Sequence, residues 1–224
     1  MRAMKAVAAV AVLWIATASP ASATTMVVTY TGSVTSAIDA TGVFGTVGAN
    51  LAGVDYGLVF TIDTTKGSYS TFNGTFSDPL LHGDQVFGGV EAALTIDGHT
   101  ETFLGGPSSF DIVATKAGLG QLQQQVNSAP AQIHAFWQTT NPGGGFPTSV
   151  LDSFTAASCS GPACTSQLFF DIDTARGDFH GDLGFGTFSV TPVAATPIPA
   201  TLPLLVAALG SLGFAGWRRG RQAA

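Results

Sequence analysis

The middle of this chain is written in short alternating runs. Apolar and polar residues take turns over Met26–Val34, Tyr56–Asp63, Ser68–Phe76, Val90–Ile96, Glu101–Leu104, Phe110–Ala114, Gln132–Gln138, Gln167–Asp173 and Leu183–Val190. A period of two sends successive side chains to opposite faces of a strand, so each run can bury one face and wet the other. Clusters of Gly, Asn, Asp, Ser and Pro separate the runs, and these residues supply turn geometry. Strong helix formers are sparse, while Val, Thr, Ser, Gly and Phe are abundant. The pattern predicts a mainly β domain, an antiparallel β-sandwich of the jelly-roll kind, over residues 24–195. Leu119–Val126 and Ser149–Phe154 are candidates for short helices, although neither carries a capping signal.

One internal echo stands out. Phe60-Thr61-Ile62-Asp63-Thr64-Thr65-Lys66-Gly67 matches Phe170-Asp171-Ile172-Asp173-Thr174-Ala175-Arg176-Gly177. Asp can accept backbone hydrogen bonds inside a turn, and Gly tolerates positive φ at its exit. The echo predicts two similar hairpins, with these aspartates as turn formers. Thr95-Ile96-Asp97-Gly98 is a weaker relative of the same pattern.

Both ends of the chain read as membrane-directed. Arg2 and Lys5 precede an apolar stretch from Ala6 to Ala18, and Ala21-Ser22-Ala23 supplies a small-x-small cleavage pattern. That stretch is too short to span a bilayer, so residues 1–23 are expected to be a signal peptide, with Thr24 as the mature start. At the other end, Ala200 to Trp217 carries no charge. As a helix it would be about 27 Å long, close to the thickness of the hydrocarbon core. Arg218, Arg219 and Arg221 follow and are expected to stay on the cytoplasmic side, leaving the main domain outside. Pro197 and Pro199 remove backbone donors and hold their neighbours extended, so the entrance to this helix is an accessible peptide.

The tail from 196 to 224 resembles the PEP-CTERM class of C-terminal sorting signals of Gram-negative bacteria. It is most similar to the branch with a Val-Pro-Leu-Pro-Ala motif, which stands here as Thr196-Pro197-Ile198-Pro199-Ala200. The departures are Thr196 for valine and Ile198 for leucine. The resemblance implies recognition and processing by exosortase, a membrane-embedded cysteine protease-transpeptidase. It implies transit through the inner membrane and an association with exopolysaccharide and biofilm. Pro197, Ile198, Pro199 and Ala200 are then the sorting motif.

Charge narrows the partners of the exported domain. All fourteen acidic residues lie between 24 and 195 against only Lys66, Lys116 and Arg176, a net charge of −11. Such a surface argues against nucleic acid and anionic membranes as partners. Cys159 and Cys164 are the only cysteines, and in an exported chain their spacing reads as a local disulfide.

The richest polar cluster is Asp171, Asp173, Asp178, His180 and Asp182 among glycines. Hard oxygen ligands on such a loop suit Ca²⁺, but the spacing matches neither an EF-hand nor a nonapeptide repeat. No metal or other cofactor is therefore expected, with Asp171, Asp173, Asp178 and Asp182 as the candidates if Ca²⁺ binds. No nucleophile elbow, phosphate loop or metalloprotease motif is present. Phe136-Trp137 offers aromatic surface for sugar rings, or simply core. The leading expectation is a non-enzymatic surface or matrix protein. A polysaccharide-binding module acting through loops at one end of the sandwich, with or without Ca²⁺, stands second, and a secreted hydrolase using paired carboxylates third.

Overall fold

The computed structural model describes residues 25–74, 81–116, 118–128, 131–140, 146–157, 164–174 and 177–193. The signal peptide, Cys159, Arg176 and the whole tail from Thr196, with its sorting motif, expected helix and arginines, lie outside the described residues. The strands are β1 (Thr25–Asp39), β2 (Ala49–Asn50), β3 (Asp55–Asp63), β4 (Ser68–Asn73), β5 (His82–Phe87), β6 (Val90–Ile96) and β7 (His99–Phe103). They continue with β8 (Phe110–Lys116), β9 (Leu119–Ser128), β10 (Ala131–Thr139), β11 (Phe154–Ala157), β12 (Cys164–Thr174), β13 (Gly177–Leu183) and β14 (Thr187–Val193). Among the described residues no helix is long and apolar enough to cross a membrane.

The fold is mainly β, and among the described residues every strand pairing is antiparallel. The sheet runs β4-β5-β8-β9-β10-β12-β13-β1-β3-β6-β7, with β14 beside β1 and β11 beside β14. Its pivot is β1. Thr25 to Ser33 pair with β3 and Thr25 to Thr31 with β14, whereas Val34 to Ala37 pair with β13, with a register shift between Val34 and Ser36. A bulge of this kind bends a strand and lets it serve two layers. Gly32 sits at the bend, where an added Cβ would lie 2.1 Å from the Gly184 carbonyl oxygen. The folded-over halves touch where β6 and β7 meet β9 and β10, an arrangement consistent with a β-sandwich.

The interior follows the alternation. Val28, Tyr30, Leu58, Phe60, Ile62, Leu94 and Ile96 from one layer meet Leu122, Val126, Ile133, Ala135, Leu168 and Phe170 from the other. Trp137 reaches across the gap to lie 5.2 Å from Phe188, which stacks at 5.4 Å on Tyr30, its cross-strand neighbour in the same layer. The β6–β7 hairpin closes through Asp97 (φ 51°) and Gly98 (φ 77°), the positive-φ pair that a two-residue turn of matching twist requires.

Four expectations are corrected. Leu119–Val126 is not a helix but most of β9, because Leu122 and Val126 alternate inward and Gln124 finds buried partners there. Ser149–Phe154 is a turn followed by the start of β11; the Asp152 carboxylate accepts the Thr148 and Ser149 N–H groups, which favours the turn. The Phe60 and Phe170 echoes are not two hairpins. The second joins β12 to β13, whereas the first links β3 to β4, strands that do not pair. Asp63 is nonetheless a turn former, accepting the Thr65 N–H at 3.0 Å and its hydroxyl at 2.6 Å. The run Leu183–Val190 is likewise divided between β13 and β14.

Candidate binding face

The outward side of the larger layer is built by alternation gone partly into reverse. In β8, Asp111 and Val113 point inward, so Phe110 and Ile112 point outward. In β9 the buried residues are Leu122, Gln124 and Val126, leaving Gln121, Gln123, Gln125 and Asn127 outside. The pair Phe136-Trp137 is split by the same rule: Trp137 is buried in the core and Phe136 faces out.

Cross-strand register lines these outward residues into rows. Phe87, Phe110, Gln125, His134, Phe169 and Asp182 form one row, and Gln85, Ile112, Gln123, Phe136 and Gln167 the next. Gln121 donates to Gln138 at 2.6 Å, and Gln125 donates to Asn127 at 2.7 Å. Each such bond uses one of the two N–H groups of an amide and leaves the other for a ligand or water. Gln123 Nε2 lies 2.9 Å from His134 Nε2, so with the amide donating, the imidazole accepts there and carries its proton on Nδ1. Burial lowers the His134 pKa, which keeps the ring neutral against Phe169, 5.1 Å away. A cleft of about 590 Å³ opens beside the first row, with Lys66, Gly88, Gly105, Pro107 and Phe87 in its wall.

The candidate Ca²⁺ ligands flank this face. His180 Nδ1 lies 2.5 Å from Asp171 Oδ1, and its Nε2 lies 3.3 Å from Asp182 Oδ1. Gln132 donates to Asp171 at 2.6 Å and Ser36 to Asp182 at 2.7 Å. The hydrogen bond to Asp171 raises the His180 pKa, and the Asp182 charge adds to the effect. Asp173 and Asp178 sit opposite one another one step along, and the Asp178 carboxyl raises the Asp173 pKa. The structure thus brings Asp171, His180 and Asp182 together, with Asp173 and Asp178 as a separate pair. Among the described residues no group of three or more His, Cys, Asp or Glu side chains is placed to hold a metal ion. Cys164 heads β12 and is disulfide-bonded; its expected partner Cys159 lies outside the described residues.

A second polar group was not anticipated. Asp111 is fully buried and accepts from Gln124 Nε2 at 2.6 Å, while the Tyr30 hydroxyl donates to Gln124 Oε1 across the layers. Asp84, also buried, accepts the Val150 N–H and the Tyr69 hydroxyl, each at 2.7 Å. Burial pushes the Asp111 carboxyl up to about 7, and the nearby Asp84 charge pushes in the same direction. Alternation alone did not signal it: in Phe110-Asp111-Ile112-Val113 the phase that turns Asp111 outward buries Phe110 and Ile112 and exposes only Val113, and the folded sheet takes the opposite phase. No family model, curated protein or solved structure matches this chain.

Proposed function

We propose that this is an exported protein without catalytic activity of its own, delivered to the cell surface or extracellular polysaccharide matrix through its C-terminal tail. The observation that carries the reading is the order Pro197-Ile198-Pro199-Ala200, an uncharged apolar stretch to Trp217, then Arg218, Arg219 and Arg221. An exosortase is the partner that such a tail implies. Residues 200–217 anchor the protein in the inner membrane before processing, with the arginines fixing topology. Residues 24–195 then form the exported domain, which we read as a sandwich of the jelly-roll kind, stapled locally by Cys159 and Cys164. No cofactor is assigned. Of the acidic side chains of the flank, Asp171 and Asp182 are engaged by Gln132, Ser36 and His180, which supports a structural use for these two.

The reading is tested by replacing Pro197 and Pro199 with Ala in the native host. The variant should accumulate in the inner-membrane fraction at full length, while the wild type leaves it. Equal release of both proteins would overturn the sorting role of the motif.

A further inference from the structure

We propose that the outer face of β8, β9, β10 and β12 binds an uncharged polysaccharide laid across the strands. The inference rests on the extracellular, non-catalytic role proposed above, and its observations come from the exported domain alone. A sheet that buries Asp111 and Gln124 while turning Phe110, Ile112 and Phe136 outward has its polarity locally inverted. Burying a carboxyl and leaving phenyl rings half-exposed both cost stability, and violations of this kind concentrate where a surface is used. The inverted side chains do not stand alone. They alternate with primary amides, so apolar faces and paired donor–acceptor groups recur side by side. A sugar ring offers the same two things: C–H faces for a ring to cover, and a rim of hydroxyls that both donate and accept.

Charge selects among polymers. From Phe87 to Phe169 in one row, and from Gln85 to Gln167 in the next, no side chain carries a formal charge with His134 neutral. A neutral chain can therefore displace water from the face without stranding an ion. An anionic chain would meet the field of a domain with fourteen acidic and three basic residues. Asp182, which ends the first row, and Asp171 beside it are already held by His180. Geometry fits as well. Neighbouring strands lie about 4.8 Å apart, close to the repeat of an extended pyranose chain, so one strand can serve each successive sugar.

The test is affinity electrophoresis of the purified full-length protein in detergent. The gels contain hydroxyethylcellulose, galactomannan or dextran as uncharged polymers, alginate as an anionic one and chitosan as a cationic one. The protein should be retarded by at least one uncharged polymer, to the same degree at high salt, and not by alginate. Gln123→Ala combined with Phe136→Ala should weaken retardation roughly tenfold, as should Gln125→Ala, a surface change that leaves the core intact. The thermal unfolding midpoint of Gln125→Ala should stay at the wild-type value. Retardation by chitosan alone, abolished by salt, would move the activity to the acidic flank and overturn the proposal. So would retardation by none of the uncharged polymers, or equal retardation of wild type and variants. Loss of binding with normal tail processing would sink this inference and spare the sorting role; the converse would do the opposite.

Discussion

Two aspartates illustrate how differently one carboxyl can behave in this domain. Asp39 is buried, and burial alone would raise its pKa. Its carboxylate nevertheless accepts N–H bonds from Phe44 at 2.8 Å, Gly42 at 2.6 Å and Thr41 at 3.1 Å, and the net effect is a lowered pKa. Asp39→Ala strands those donors and should cost about 3 kcal/mol in urea unfolding, whereas loss of a solvated surface aspartate would cost almost nothing. Asp111 is the opposite case. Its folded pKa of about 7 lies above the ordinary value of 3.8, so the folded state holds a proton that the unfolded chain releases first. Its contribution is therefore fully present below pH ~4, declines as pH rises and is exhausted near pH 7. The loss is on the order of 4 kcal/mol at most. Asp111→Asn should flatten the stability profile between pH 4 and 7 relative to wild type, while the response at lower pH, set by Asp39 and Asp63 with their lowered pKa values, should persist.

Among the elements, β1 matters most, because it is shared by both layers. Gly32 to Val34 is held by the Gly184 N–H donating to the Ser33 carbonyl at 2.8 Å and the Gly186 N–H donating to the Thr31 carbonyl at 3.0 Å. Gly32→Ala would drive a methyl into the Gly184 carbonyl, so the 184–186 connection must move. A loss of about 2 kcal/mol is expected in thermal or urea unfolding, against less than 0.5 kcal/mol for alanine at an unconfined strand position. The strands themselves were largely legible. Val90–Ile96 was read at its true bounds, since its alternation is unbroken and a positive-φ turn follows it. β9 was not, because four of its residues are glutamine or asparagine on the outside and one buried glutamine breaks the apolar phase. β5 and β13 escaped notice for the same reason: Gly83, Asp84, Gly181 and Asp182 hide a period of two. The binding face was illegible as a face. Its rows join residues from six strands whose register only the folded sheet sets, and the outward phase of Phe110 and Ile112 runs against what alternation alone would choose.

On the function proposed above, the molecule as a whole divides into an acidic β domain that meets the outside and a tail that determines its delivery. The domain's excess of negative charge lies entirely between the two apolar ends, and the arginines beyond Trp217 have no counterpart of equal density before it. Such segregation suits a protein that crosses one membrane and is stopped at its last residues. The most direct test is intact-mass spectrometry of the protein recovered from the cell surface or medium of its native host. The mass should correspond to a chain that begins at Thr24 and lacks the apolar segment up to Trp217, with or without an added group at its new terminus. Recovery there of a chain still ending in the arginine cluster and Ala224 would contradict the account.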